Sequence, residues 1–401
     1  MIDRTDFLDL LWKWKDHDLI KVVTGVRRCG KSTVLHAFAE RLKTSGVPSD
    51  AILCMDFEDE AFDSIRSVEE ARAWLAANRP QGSRSYVFLD EVQRIPEFER
   101  LVDGLHHRRD TDVYVTGSNA SLLSGELATY LSGRYVELPL QPLSYREFAS
   151  GNGVDPRSMA TWVDYVRRGG FPYLSALGGD PQLVEGYLEG VYHTVLVKDV
   201  LRRTGAADPA QVSRVAQFLF DNIGNLTSIQ KIADTLTSAG SKCSYHTVES
   251  YVDALCKAYL FRKAERFDIK GREVLKTGYK YYAVDTGLRD VLVRHRPGDD
   301  GHLLENIVFN ELTRRHASVS IGKCDALEID FVVRSGGLTS YVQVAETLRG
   351  PGVLERELAP LRAVRDNYPK TVVTLDAMPP SSEDGITCVN AIDFLIHSAE
   401  N

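Results

Sequence analysis

Residues 25–32 read Gly25-Val26-Arg27-Arg28-Cys29-Gly30-Lys31-Ser32, a complete G-x-x-x-x-G-K-S run. This run restricts the fold more than any other stretch. Its two glycines let the backbone wrap so that successive N–H groups converge on a phosphate. A helix has to start at the lysine, because its N-terminal end adds a favourable field for the anion. A strand has to come before the loop to hold it. The flanks agree: residues 19–24 are a β-branched apolar run, and residues 31–42 follow a helical pattern. In that geometry Lys31 reaches the outer phosphates of a nucleoside triphosphate, and the Ser32 hydroxyl ligates Mg2+. Val26, Arg27, Arg28, Cys29 and Thr33 complete the cradle. The two arginines face phosphate or nucleobase in one reading and solvent in the other.

The alternation continues. Strand-like segments at 51–57, 86–89, 113–116 and 135–138 are interleaved with helical ones at 68–77 and 97–107. Such a pattern predicts an α/β fold with a parallel sheet covered on both faces. It breaks at Pro139-Leu140-Gln141-Pro142. Residues 144–203 read as helices, with Leu183, Tyr187, Val191, Val195 and Val200 along one stripe. Further on, Ser228 precedes Ile229, Ile232, Ala233 and Leu236. A Gly/Ser turn and then Val248, Tyr251, Val252 and Leu255 complete a helix-turn-helix pattern. Segments 260–267 and 279–284 are expected to form its wing. After the turn-rich Arg296-Pro-Gly-Asp-Asp-Gly301, a helix at 303–315, strands at 329–333 and 341–345, a helix at 353–366 and a strand at 371–375 suggest a small α/β unit. The expected parts are therefore 1–142, 143–207, 208–295 and 296–401.

Composition narrows the class. At 401 residues, two or three domains are expected. With 43% hydrophobic and 26% charged residues the chain has the material for packed cores. A net charge of −8 argues against nucleic-acid binding through bulk charge and leaves room for a local basic patch. No two of the six cysteines stand at C-x-x-C spacing, which points to a reducing compartment without disulfides or a zinc ribbon. Neither a leader-like start nor a membrane-spanning apolar run is seen, so the expectation is a cytoplasmic protein with no membrane partner.

A second set of residues suits the same triphosphate. Tyr86-Val-Phe-Leu-Asp90-Glu91 is a buried strand ending in two carboxylates. Asp90 suits Mg2+ coordination through water, and Glu91 suits a base that orients and polarises the attacking water. The next strand ends Thr116-Gly-Ser118-Asn119. Asn119 is the first candidate to sense the terminal phosphate or hold that water, Ser118 the second, and turn chemistry is the plainer alternative. Arg134, just before the fifth strand, is either a finger reaching a neighbouring subunit's phosphate or a solvated arginine.

Thr24–Thr33, Leu89-Asp-Glu-Val-Gln93, Thr116–Asn119 and Pro142-Leu-Ser-Tyr-Arg-Glu-Phe148 resemble the bacterial and archaeal AAA-type ATPases that carry a C-terminal domain of unknown function. Gly169-Gly-Phe-Pro172, Lys198-Asp199 and Asp221-Asn-Ile-Gly-Asn225 extend the resemblance along the chain. It implies a P-loop NTPase sheet, a helical lid, a winged helix and a restriction-endonuclease-like terminal fold. It also implies ATP as the nucleotide, Mg2+ as its cofactor, and self-association into a ring, with a hexamer among the open sizes. No protein partner is named by it.

Glu305, Asp330 and Tyr341-Val-Gln343-Val-Ala345 resemble the core of the endonuclease-like fold. That fold places Asp, then Glu-x-Lys, around Mg2+. Here Gln343 and Ala345 stand where Glu and Lys are expected. An amide is a poor ligand for a hard cation, and alanine supplies no charge. A nuclease-like fold without nuclease activity is therefore expected, with Glu328 or Glu346 as the only partial substitutes. Between 257 and 280, eight basic residues face three acidic ones. His246, Thr247 and Ser250 can face a groove from the second helix. DNA and protein contacts remain equal alternatives there. The functions consistent with all this are an ATPase that moves its C-terminal parts, a nucleotide-gated binding switch with slow hydrolysis, and an ATPase-coupled nuclease.

Overall fold

The computed structural model describes residues 2–80, 82–117, 131, 133–204, 208–316 and 318–397. It divides into two compact units. Unit 1 is Met1–Gln141 with Lys257–Tyr259, and unit 2 is Pro142–Cys256 with Leu260–Asn401.

Unit 1 runs α1 (Thr5–Trp14), β1 (Ile20–Thr24), α2 (Lys31–Thr44), β2 (Ile52–Asp56), α3 (Val68–Asn78), β3 (Ser85–Asp90), α4 (Phe98–His106), β4 (Thr111–Thr116) and β5 (Tyr135–Pro139). Its five strands are all parallel, in the order β2-β3-β4-β1-β5. Alternate strand residues bury opposite faces. Val22, Val87, Leu89, Val113 and Val115 pack on one side with Ala71 and Leu75 of α3 and Leu101 and Leu105 of α4. On the other side Phe38 of α2 packs against Phe88 and Tyr114, whose rings stack at 4.8 Å. Both faces being covered explains why these strands read as continuous apolar runs. Each parallel strand ends at the same edge, so the loops after β1, β3 and β4 share one crevice.

Unit 2 begins with helices α5 (Tyr145–Asn152), α6 (Met159–Arg168), α7 (Pro181–Val195), α8 (Pro209–Asp221), α9 (Ile229–Ser238) and α10 (Tyr245–Lys257), whose last residue belongs to unit 1. Ser144 and Glu147 form a capping box that starts α5, and the Ser228 hydroxyl caps α9. On α7 the buried stripe is Val184, Leu188, Val191, Tyr192 and Val195. Leu183, expected inside, is 54% exposed. Val191, Val195 and Val200 are buried as expected, whereas in the first turns Val184 and Leu188 take the inward positions expected of Leu183 and Tyr187. Past Val195 the helix widens to a π-turn over Leu196–Leu201, burying Asp199 and Val200.

The remainder is β6 (Phe261–Asp268), β7 (Glu273–Ala283), α11 (Thr286–Val293), α12 (Asp300–Arg315), β8 (Ser318–Cys324), β9 (Leu327–Ser335), β10 (Leu338–Ala345), α13 (Val353–Ala363), β11 (Lys370–Thr374), β12 (Ser382–Glu383), β13 (Ile386–Asn390) and α14 (Ala391–Ile396). Eight strands form one sheet ordered β12-β13-β11-β10-β9-β8-β6-β7. This corrects an expectation. The two strands read as a wing are the edge of the terminal sheet, because β6 pairs in parallel with β8 through Arg266–Ile321, Phe267–Gly322 and Asp268–Lys323. A boundary at 295/296 therefore cuts through a single sheet. Among the described residues no helix is long and apolar enough to cross a membrane.

Candidate nucleotide site

The loop after β1 is built around close backbone contacts. Gly25 has φ +146°, and a Cβ there would lie 2.1 Å from the carbonyl oxygen of Leu140. The Cys29 thiol lies 3.4 Å from that same oxygen, and the Leu140 N–H donates to Thr24 O at 2.8 Å. Gly30, at φ +99°, turns the chain into α2. Lys31 is 5% exposed and donates from Nζ to the carbonyls of Gly25 (3.0 Å) and Val26 (3.2 Å). Cys29 is buried, Ser32 and Arg27 half-buried, and Arg28 and Thr33 exposed. The Lys31 ammonium is thus held within the loop by two of its own carbonyls.

Since β4 lies between β1 and β3, its end separates the loop from the carboxylates. Thr116, fully buried at that end, links Asp90 to Glu91. Its hydroxyl donates to Asp90 Oδ1 and accepts the Glu91 N–H at 3.0 Å. The other Asp90 oxygen, Oδ2, is buried without a hydrogen-bond partner. Glu91 has φ +48°, a conformation costly for a side chain of its size, and Gln93 Nε2 donates to its carboxylate. Burial raises the Glu91 pKa, while the charges of Lys31 and Arg27 oppose the shift. Beside Asp90 in the strand register stands Asp56, raised first by burial and then by the Asp90 charge.

The residues expected from sequence separate into three groups. Gly25, Gly30, Lys31, Asp90 and Glu91 come together at one sheet edge. Ser118 and Asn119 lie outside the described residues. Arg134 is not brought to the site of its own chain. Its carbonyl accepts the Ile20 N–H, so it sits at the opposite, amino-terminal edge of the parallel strands, where its guanidinium pairs with Asp103 at 2.8 Å. Sequence reasoning missed Thr116 and Gln93 as holders of the carboxylates. The signal for Thr116 was a polar residue closing an apolar strand.

In unit 2 several expected contacts have other uses. Gly169 and Gly170 admit Asp285 and Leu143 closely. The Asp285 carboxylate accepts N–H bonds from Gly170 (2.7 Å) and Leu288 (3.1 Å), and a Cβ on Gly169 would lie 2.1 Å from it. The Gly-Gly-Phe-Pro segment is a structural clasp within unit 2. The basic excess at 257–280 is partly consumed. Arg262 donates to Thr313, Lys263 lies 3.5 Å over the Tyr279 ring, Lys270 pairs with Asp325 and Lys280 is buried among carboxylates. His246 and Ser250 are exposed on α10, while the Thr247 hydroxyl bonds Ser244 at 2.7 Å.

This fold and this edge of glycine cradle, lysine and paired carboxylates define a P-loop NTPase of the AAA type. Residues 17–149 match the family model described as AAA domain, and residues 159–298 match that of a domain of unknown function, DUF8612. The chain belongs to the same family as an uncharacterized protein of Haemophilus influenzae. The two are 38% identical over 400 residues, 99% of each chain. An uncharacterized protein of Methanocaldococcus jannaschii is 26% identical over 365 residues, 86% of this chain and 79% of that one. The Walker-type ATPase of Pyrococcus abyssi is similar in fold, with a TM-score of 0.50 at 17% identity over 73% of this chain and 96% of that chain.

Proposed function

We propose that unit 1 binds Mg-ATP on the loop at 25–32 and hydrolyses it. The observation that carries this reading is the incomplete polar edge. Lys31 rests on neutral carbonyls that phosphate oxygens can replace, and one Asp90 oxygen is buried with nothing bonded to it. A buried polar atom without a partner costs about 1–3 kcal/mol, so a bound cation or its water recovers that cost. These residues fit Mg2+, with the Ser32 hydroxyl as a direct ligand and Asp90 acting through water. The ion neutralises phosphate charge when bound. Glu91 orients and polarises the attacking water, and Thr116 and Gln93 hold its backbone and carboxylate in place.

We further propose that the cycle moves unit 2, with self-assembly into an oligomer, and that α9 and α10 carry the partner contact. The internal use of so many basic residues between 257 and 280 favours a protein surface over DNA for that contact. The decisive experiment compares Mg-ATP affinity and turnover. Glu91→Gln should keep affinity and lose turnover by roughly 10²–10⁴-fold. Wild-type turnover in that variant removes Glu91 from its role. Absence of Mg-ATP binding by the native chain removes the whole reading.

A further inference from the structure

Lys280 faces three carboxylates of unit 2. It comes from β7, yet it meets residues of α12 and β9. Its ammonium lies 2.9 Å from Glu305 Oε1, 3.0 Å from Glu328 Oε1 and 3.8 Å from Asp330 Oδ1. Its side chain is 5% exposed. The surroundings are equally committed. Tyr282 donates its hydroxyl to Glu305 Oε1 at 2.6 Å, and the Val344 N–H donates to Asp330 Oδ2 at 2.8 Å. Gln343 Oε1 accepts the Asp330 N–H at 3.3 Å, and its amide nitrogen lies 3.4 Å from Glu357. Gly224, of the Asp221–Asn225 segment, passes so close that a Cβ there would lie 3.2 Å from Glu305 Oε2.

Position 345, where the endonuclease-like pattern expects lysine, is alanine. The fold supplies one from a strand that was expected to be a wing. The spacing of the carboxylates shows what they are arranged around. Oxygens at 2.9–3.0 Å from a centre suit charge-assisted N–H···O bonds. A magnesium ion would need them about 0.9 Å closer, at roughly 2.0–2.1 Å. Among the described residues no group of three or more His, Cys, Asp and Glu side chains is arranged to hold a metal ion.

We propose that Lys280 is the resident cation of this carboxylate cluster, holding the position a divalent metal would take and excluding it, so that α12, β7 and β9 are joined without metal. Three carboxylates facing one ammonium leave an excess of negative charge. The cluster partly relieves it by retaining a proton: burial, then the Glu305 charge, pushes the Asp330 carboxyl up to about 8 against the pull of Lys280.

The test is the number of Mn2+ ions bound to the full chain without nucleotide, read by electron paramagnetic resonance and calorimetry. Lys280→Met should bind one more Mn2+ than the native chain, with a dissociation constant of roughly 10⁻⁴–10⁻³ M. That ion should be lost again in Lys280→Met/Asp330→Asn. A folded Lys280→Met that gains no ion overturns the proposal. Glu328→Gln keeps the test decisive if Lys280→Met fails to fold, since its side chain is 31% exposed and its replacement disturbs little packing. The expected result is an unchanged Mn2+ count. One ion fewer than in the native chain overturns the proposal and makes the cluster a metal centre with Lys280 as its partner, as an ATPase-coupled nuclease requires. None of these outcomes involves the loop at 25–32, so they are separable from the ATPase reading.

Discussion

Two buried lysines in this chain have opposite surroundings. Lys31 in unit 1 donates to the carbonyls of Gly25 and Val26, neutral acceptors within its own loop. Lys280 in unit 2 is held by carboxylates from two other elements. Both are about equally hidden from water, yet only the first has partners that an incoming anion can displace. Burial of a charge therefore does not mark a binding site by itself. The partners do: replaceable neutral acceptors on one side, fixed opposite charges on the other.

The strongest way to break this contrast is to remove each ammonium. Lys280→Met should cost about 3–5 kcal/mol of unfolding free energy, because it strands carboxylates without their counter-ion. Lys31→Ala should cost about 1 kcal/mol and abolish Mg-ATP affinity. Denaturant unfolding and nucleotide titration of both variants check this, and equal destabilisation would erase the distinction. Asp285 sharpens the comparison as a third case, a buried carboxylate served by backbone N–H groups. Burial pushes its carboxyl up to about 6 despite those donors. The folded pKa lies above the unfolded value. The stability that protonation contributes is therefore full below about pH 4 and lost as pH rises through 6. Asp285→Asn should gain stability relative to the native chain across that window, by roughly 3 kcal/mol at most. A pH series of melting curves for the two proteins measures it, and parallel curves would contradict it. The smallest effect is expected at Arg134. Its half-exposed pair with Asp103 is worth under about 1 kcal/mol, and Arg134→Ala should leave turnover nearly unchanged. A large loss of turnover with ATP affinity intact would restore Arg134 as a finger acting on a second copy.

Unit 1 was readable because its signals are local. A loop of eight residues, flanked by apolar strands with one period and a helix with another, states its own geometry. Asp90 and Glu91 stand out for the same reason: they close a strand whose neighbours were already recognised. Thr116 and Gln93 were harder, since their role is to hold another residue and depends on β4 lying between β1 and β3. In unit 2 the decisive contacts are remote. Ser318–Cys324, the strand that joins the supposed wing to the terminal sheet, carries only Val319 and Ile321 between Ser and Gly residues, an alternation too short to name its partner strand. Without it, nothing in the order of residues brings Lys280 to Glu305 and Asp330. The α7 stripe departs from expectation only at Leu183 and Tyr187, beside which the equally apolar Val184 and Leu188 stand one position on and are buried instead.

The close approach of Gly25 to the Leu140 carbonyl has a mechanical consequence. No side chain can be accommodated at position 25 unless the chain leaving β5 moves aside. Position 140, remote in sequence and chemically plain, is in effect a wall of the loop at 25–32, and a change in its backbone path would alter that loop's shape without touching any residue of the motif.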